Sequence, residues 1–131
     1  MAIQKNFRNN GGEFIKKAST AFEVGDLCTI DSNGFLVPGG AGKIVGVSNE
    51  KVASTDADYA TARPLNVSSG DAEITYIFNV ATGTATQSTV GEYVDIDGTD
   101  FTSLDVTAST NDQVFVTKFI DSNTVEGKLV A

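Results

Sequence analysis

The chain has 131 residues, of which 40% are apolar and 20% charged, and its formal net charge is −8. A chain of this length and composition can bury a core as a single domain, which argues against wholesale disorder. No apolar run in the sequence approaches the roughly 20 residues that a membrane-spanning helix needs. The sequence contains no histidine, the commonest general base and metal ligand. Its one cysteine, Cys28, cannot form an internal disulfide and is expected to be a small buried apolar residue.

The beginning of the chain carries a charge opposite to that of the rest. Residues 1–17 contain four basic and one acidic side chain, whereas the remaining 114 residues contain five basic and sixteen acidic ones. We therefore predict an N-terminal arm over residues 1–22 and a single β domain over residues 23–131. The acidic domain would repel nucleic acid and anionic membranes, and the basic arm would attract an acidic protein surface.

Most of the sequence has the pattern of an all-β protein. Runs rich in β-branched and aromatic residues alternate with clusters of Gly, Asn, Asp and Ser. Helix is expected only as a short segment after Gly11 and as one turn near residues 56–62, inside a long connection over residues 51–70. The predicted strands, in chain order, are residues 26–31, 35–38, 43–48, 72–80, 90–96, 113–120 and 124–130.

One stretch of the chain resembles another stretch 66 positions later. EVGDLCTIDSNGFLV (23–37) aligns with TVGEYVDIDGTDFTS (89–103), matching Leu27 with Tyr93 and Phe35 with Phe101. A polar loop and an apolar run follow each copy. The pattern indicates a possible duplication of a strand-turn-strand-loop-strand unit, and the fold expected is a small β-barrel or β-sandwich with an extended N-terminal arm.

The glycine-rich stretch VPGGAGKIVGV (37–47) superficially resembles a phosphate-binding loop. That motif needs glycine five positions before the Gly-Lys pair and Ser or Thr after it, followed by a helix. Here Val37 and Ile44 occupy the two positions, and a β-rich run follows. The stretch is therefore predicted to connect two strands, with Gly46 marking a bulge or a close approach of backbones.

The stretch DIDGTD (95–100) superficially resembles a calcium-binding loop. An EF-hand has glycine at its sixth position and glutamate at its twelfth, whereas here glycine is fourth and the twelfth position is Val106. Asp95 is predicted to point outward from a strand, and Asp97-Gly98 to form a hairpin turn. No metal site is predicted here, and no constellation of catalytic side chains emerges elsewhere.

Three segments resemble the small decoration, or cement, proteins that bind the outside of tailed-bacteriophage capsids. They are FEVGDLCTIDSNGFLVPGGAGKIVGVSNE (22–50), TVGEYVDIDG (89–98) and DQVFVTKFIDSNTVEGKLVA (112–131). The first combines a Gly-Asp strand, a turn and a glycine-rich loop leading into an IVGVS strand, and the last closes the chain with a strand. Residues 1–22 and 51–70 depart from the family pattern.

The resemblance implies a small β-barrel or β-sandwich that is often trimeric. It also implies a structural, non-enzymatic role without cofactors: binding the major capsid protein on the virion exterior and bridging capsomers, after synthesis in the host cytoplasm. The arm would be the grip on the capsid, its basic groups meeting acidic ones and its aromatic rings becoming buried. The predicted contact residues are Lys5, Phe7, Arg8, Phe14, Lys16 and Lys17.

Other functions remain open at the level of sequence. A carbohydrate-binding or adhesin-type β module could use loops such as residues 81–89, although such modules need an aromatic platform and the chain has no Trp. Another head or tail subunit of a virion is a second alternative. An enzyme that uses carboxylates alone is a third.

Overall fold

The structure is a computed structural model that describes residues 11–131, and the side chains of residues 11–13 lie outside the description. This part of the chain is all-β, as predicted, with one short 3₁₀ turn at Gln87–Thr89. Its strands are β1 (Gly11–Ile15), β2 (Leu27–Ile30), β3 (Leu36–Pro38), β4 (Gly46–Ser48), β5 (Pro64–Ser69), β6 (Thr75–Thr82), β7 (Tyr93–Ile96), β8 (Ser103–Asp105), β9 (Val114–Asp121) and β10 (Thr124–Leu129).

The strands form two five-stranded units, which we call the first unit (residues 11–70) and the second unit (residues 71–131). The first is a sheet in the order β1-β5-β4-β2-β3. The second is a closed barrel in which β6, β10, β9, β7 and β8 follow the same order and β8 pairs back onto β6. The predicted β-barrel is therefore confirmed for the second unit.

The two units share their strand register as well as their strand order. In the first unit, Leu27 of β2 lies opposite Val47 of β4. Their counterparts in the second unit are Tyr93 of β7 and Phe115 of β9, which lie 66 and 68 positions further along the chain. The offset along the chain is 64 from β1 to β6, 66 from β2 to β7, 68 from β3 to β8 and from β4 to β9, and 60 from β5 to β10. With these offsets, every residue pair between strands of the first unit except Cys28–Pro38 has an equivalent in the second. The repeat thus extends over all five strands.

The register also corrects one match in the sequence alignment. The backbone N–H of Asp31 donates to the carbonyl of Phe35, and the equivalent N–H of Asp97 donates to that of Ser103. The second turn is therefore two residues longer than the first. Phe35 corresponds to Ser103 rather than to Phe101, which lies in the longer turn.

The two edge strands of the first sheet, β1 and β3, are joined by a single bridge. Lys16, directly after β1, forms an isolated parallel bridge with Leu36 of β3. The counterparts 64 and 68 positions later, Val80 and Leu104, belong to the parallel β6–β8 ladder that closes the barrel. The first unit is therefore closed by one bridge where the second is closed by a ladder.

Several predicted boundaries were wrong. Residues 11–15 form β1 rather than a helix, and Phe22 is fully buried, so the body of the protein includes much of the predicted arm over residues 1–22. Residues 56–62 form turns without a helix, and the connection over residues 51–70 contains β5, whose Leu65 and Val67 are buried. The short strand β8 was also not predicted.

Each unit has its own core, and the second core extends into the first unit. Phe22, Leu36, Leu65 and Val67 belong to the first core, together with Cys28, which is fully buried as predicted. The second core is built from the inward-facing residues of the barrel and also takes in Leu27 and Ile44 of the first unit. Burial of these two side chains joins the units through apolar contact.

Gly46 marks a close approach of two backbones, as predicted. It lies in β4 opposite Ser69 of β5, and a Cβ atom at this position would overlap the carbonyl oxygen of Ser68. Only glycine allows β4 and β5 to pair at this distance.

Candidate functional sites

The six predicted contact residues have different locations. Lys5, Phe7 and Arg8 lie outside the described residues. Phe14 is half-buried and packs against the first core. Part of the apolar surface of Phe14 is therefore covered by the protein's own core, whereas the sequence analysis predicted that a partner would cover it.

Lys16 was wrongly predicted to lie on the surface. Its side chain is 0% exposed, and its Nζ donates a hydrogen bond to the backbone carbonyl of Tyr59 at 3.1 Å. The reason is its position in the sheet: it lies where the strand edges meet, and its counterpart Val80 points into a core. A buried ammonium group cannot contact a partner's acidic side chains.

Lys17 is the one predicted contact residue whose side chain is seen to be exposed. Its side chain is 54% exposed, and its Nζ lies 3.9 Å from a carboxylate oxygen of Asp31. Consecutive residues at this edge of the sheet point in opposite directions, which explains why its neighbour is buried. Lys17 therefore presents a cation next to the turn that joins β2 and β3.

The glycine-rich loop faces the second unit, and its carbonyl groups are engaged there. The side-chain NH₂ of Gln113 donates to the carbonyls of Gly40 (2.8 Å) and Gly42 (2.7 Å), and Lys43 Nζ donates to the carbonyl of Asp112 at 3.4 Å. The loop joins β3 to β4. It therefore connects strands and contributes to the contact between units, which agrees with the rejection of a phosphate site.

The two aspartates of the DIDGTD stretch organise loops. Asp95 was predicted to point outward, and it is nevertheless 4% exposed because the loop over residues 107–112 folds onto it. Its carboxylate accepts the backbone N–H groups of Thr110, Asn111 and Asp112 at 2.9–3.1 Å. Within residues 11–131 no group of three or more Cys, Asp or Glu side chains is arranged to hold a metal ion.

Asp97 caps the turn between β7 and β8. Its carboxylate accepts the backbone N–H groups of Thr99 (3.0 Å) and Asp100 (2.8 Å) and the hydroxyl of Thr82. The Asp100 N–H and then the Thr82 hydroxyl lower the pKa of Asp97, because they stabilise its charged form. Its first-unit counterpart Asp31 likewise has a lowered pKa, chiefly because of the N–H of Phe35.

The pKa of Asp26 is shifted in the opposite direction. It is 5% exposed, and burial raises its pKa, with the nearby charges of Glu23 and Asp100 adding to the effect. A hydrogen bond from the backbone N–H of Glu23 to its Oδ2 at 2.8 Å partly offsets the shift. The group lies at the start of β2, where the two units meet.

An apolar cavity of about 260 Å³ lies between the units. Its walls include Val47 from the first unit and Tyr76, Phe78 and Leu129 from the second, and no charged side chain lines it. Ile77, also in the lining, is 68% exposed. The cavity suits an apolar group. Its lining contains no carboxylate, amine, guanidinium or thiol, and its side-chain hydroxyls belong to Ser68, Ser69, Tyr76 and Thr102.

A second concavity, of about 480 Å³, lies on the outer side of the second unit. We call it the β7 groove, and its lining includes Gly91, Glu92, Tyr93, Thr107 and Asp112. It is polar and acidic, with the exposed Tyr93 ring at one side. Sequence reasoning missed both concavities, because each is formed by segments that are distant along the chain.

In the described part of the chain, the structure has no helix with the length and apolar character needed to cross a membrane. The chain matches no protein-family model and no curated protein sequence.

Proposed function

We propose that the protein is a structural, non-enzymatic component of a virion that binds the outer surface of an assembled phage capsid and stabilises it by bridging capsomers. Its partner would be the major capsid protein, and the protein would act as a homo-oligomer on the virion exterior. Binding only to the assembled shell would stabilise that state by mass action.

The observation that carries the proposal is the division of charge between the two parts of the chain. The first ten residues carry two basic and no acidic side chains, and β1 follows them directly and is paired along its length with β5. The cationic segment thus directly precedes a strand that is paired within an acidic β body. A short basic segment with an aromatic ring, Phe7, between Lys5 and Arg8 suits an acidic and partly apolar protein groove.

The set of proposed contact residues is smaller once burial is taken into account. Lys5, Phe7, Arg8 and the exposed Lys17 remain, whereas Lys16 is excluded by its burial. Phe14 contributes to the first core. A truncation that extends beyond position 10 would therefore damage the fold. A binding assay on such a truncated protein could not distinguish loss of folding from loss of binding.

Co-sedimentation with purified empty capsids of tailed phages, in both compact and expanded forms, tests the proposal. The double variant Lys5→Glu/Arg8→Glu should lose at least about tenfold in affinity for expanded capsids, because each reversal replaces an attraction by a repulsion. The matched control Lys51→Glu/Lys118→Glu makes the same change in net charge on exposed body positions and should bind like the wild type. Failure of the wild-type protein to bind any capsid would overturn the proposal, and equal binding by both variants would remove the arm's role.

A further inference from the structure

The contact between the two units is formed by different surfaces on each side. The second unit contributes the end of its barrel that includes the turn over residues 97–102. The first unit contributes the side of its sheet at β2 and the loop after β3. The backbone N–H of Leu27 donates to the carbonyl of Phe101 at 2.8 Å, and the Phe101 ring lies so close to Gly39 that a Cβ there would overlap it. Gln113 adds its hydrogen bonds to the glycine-rich loop. β2 and the loop that follows β3 therefore form a surface on the first unit against which a turn docks.

The second unit has a concavity at the corresponding place, and no segment of residues 11–131 fills it. Tyr93 is the counterpart of Leu27, and residues 107–110 are the counterparts of residues 39–42, at offsets of 66 and 68. Tyr93 and residues 107–109 line the β7 groove. Leu27 is 5% exposed because the second unit covers it, whereas Tyr93 is 46% exposed.

The first unit has a corresponding turn, which is two residues shorter and has no counterpart of Phe101. Residues 31–35 join β2 to β3 as residues 97–102 join β7 to β8, with the same aspartate cap at the start of the turn. Ser32, Asn33 and Gly34 are exposed at its tip. Within residues 11–131, the turn of the second unit docks against the first unit, whereas the tip of the first unit's turn is exposed.

We propose that the β7 groove is an interface with a second copy of this chain, which inserts its turn over residues 31–35. The chemistry of the two surfaces is complementary. The groove presents the carboxylates of Glu92 and Asp112. The turn presents the side-chain amide of Asn33 beside the exposed ammonium of Lys17, whose Nζ lies 3.9 Å from the carboxylate of Asp31 in the same turn. In residues 11–131 each chain then has one free turn and one free groove, so the contact is heterologous and generates a ring or an open chain of copies.

Sedimentation equilibrium over a range of concentrations tests the interface without any capsid, so its outcome is independent of the proposed function. The groove is small, and we expect a dissociation constant on the order of micromolar to millimolar. Ser109→Arg, which fills the groove, should weaken association at least tenfold, whereas Ser122→Arg, an exposed position outside the groove lining, should leave it unchanged. A wild-type protein that stays at 13.7 kDa up to about 1 mM would overturn the inference, as would undiminished association of Ser109→Arg.

Cysteine cross-linking tests which surfaces meet. Asn33→Cys and Ser109→Cys are made in separate chains, mixed and oxidised, and the expected product is a disulfide between the two different chains. Cys28 does not compete, because it is fully buried and burial raises its pKa to about 12. Cross-linking of either variant alone, at a rate equal to that of the mixture, would contradict a turn-in-groove contact.

Discussion

Lys16 lies inside the first unit at the position that Val80 holds in the second. Its ammonium group has a hydrogen bond to the carbonyl of Tyr59, but that carbonyl also accepts the backbone N–H of Ser19 at 2.9 Å. Loss of the ammonium would therefore leave no buried acceptor without a donor. Burial of the cation costs desolvation free energy, which one neutral hydrogen bond and the attraction of the partly exposed Asp58 carboxylate only partly offset.

Lys16→Met should leave the free energy of unfolding unchanged or raise it by up to about 2 kcal/mol, because methionine fills similar space without a charge. Urea unfolding at neutral pH measures this. The exposed neighbour provides the control, and Lys17→Met should change the free energy by less than about 0.5 kcal/mol. A loss of more than about 1 kcal/mol in Lys16→Met would show that the ammonium stabilises the first unit.

Asp26 makes the protein less stable as its carboxyl group ionises. Its pKa is raised in the folded protein, so the folded state binds the proton more tightly than the unfolded state does. Stability then falls as the pH rises from the unfolded pKa through the folded one. Asp26→Asn, which keeps an acceptor for the Glu23 N–H, should stabilise the protein at pH 7, and the gain should disappear below about pH 4.

Denaturant unfolding at pH 7 and at pH 3.5 checks this prediction. Asp97→Asn is the opposite case, because the pKa of Asp97 is lowered and its ionised form stabilises the fold. That variant should lose stability at pH 7. The difference from the wild type should shrink as the pH falls from the unfolded pKa of about 4 through the lowered folded-state pKa, where the wild-type carboxylate also becomes protonated. Parallel pH profiles for the two variants would be inconsistent with the opposite pKa shifts.

At the scale of elements, three consecutive backbone N–H groups of the loop over residues 107–112 are held by a single side chain. Asp95 accepts three backbone N–H groups of this loop from its position on β7. Asp95→Asn replaces one acceptor oxygen by an NH₂ group and removes the charge that strengthens the remaining bonds. We expect a loss of about 1–3 kcal/mol in the free energy of unfolding.

Hydrogen exchange at Thr110, Asn111 and Asp112 locates the effect, because these amides should exchange faster in Asp95→Asn while those of β9 change less. Asp121→Asn is a suitable control: Asp121 is exposed and accepts one N–H, from Asn123 at 2.8 Å. Its cost should stay below about 1 kcal/mol. Unchanged exchange of the loop amides would contradict the role assigned to Asp95.

At the scale of the whole molecule, the two units share a core and are expected to unfold together. Leu27 and Ile44 of the first unit pack with the core of the second, and Gln113 is fully buried between the units. The side chain of Gln113 also accepts the backbone N–H of Ile96 at 2.8 Å. One residue thus ties the barrel strand β7 to the glycine-rich loop of the other unit.

Gln113→Met should lower the free energy of unfolding by about 2–4 kcal/mol, because it leaves the N–H of Ile96 and two carbonyls without their partner. The loss should be equal in the two units. Native-state hydrogen exchange at Val67 in the first unit and Val125 in the second measures this, since both lie in buried strands. A loss of protection confined to Val125 would show that the units unfold separately.

The sequence alone determined the all-β class and the local pattern of most strands. Alternation over β6, turn residues at Asp31 and Asp97, and the mismatch of the glycine-rich loop with a phosphate site are properties of neighbouring residues, which a linear reading can follow. The fifteen-residue likeness between residues 23–37 and 89–103 also indicated the repeated unit correctly.

Only the tertiary structure decided which segments complete each unit and which side chains are buried. The strands β1 and β5 pair with each other across about fifty residues of chain, and neither has a strong local pattern. Lys16 was predicted to be exposed from its charge, but its burial is set by Leu36 and Tyr59, which approach it from distant segments. Strand pairing and burial depend on what lies opposite in space, and for that physical reason the closure of the first unit and the two concavities could not be derived from the sequence.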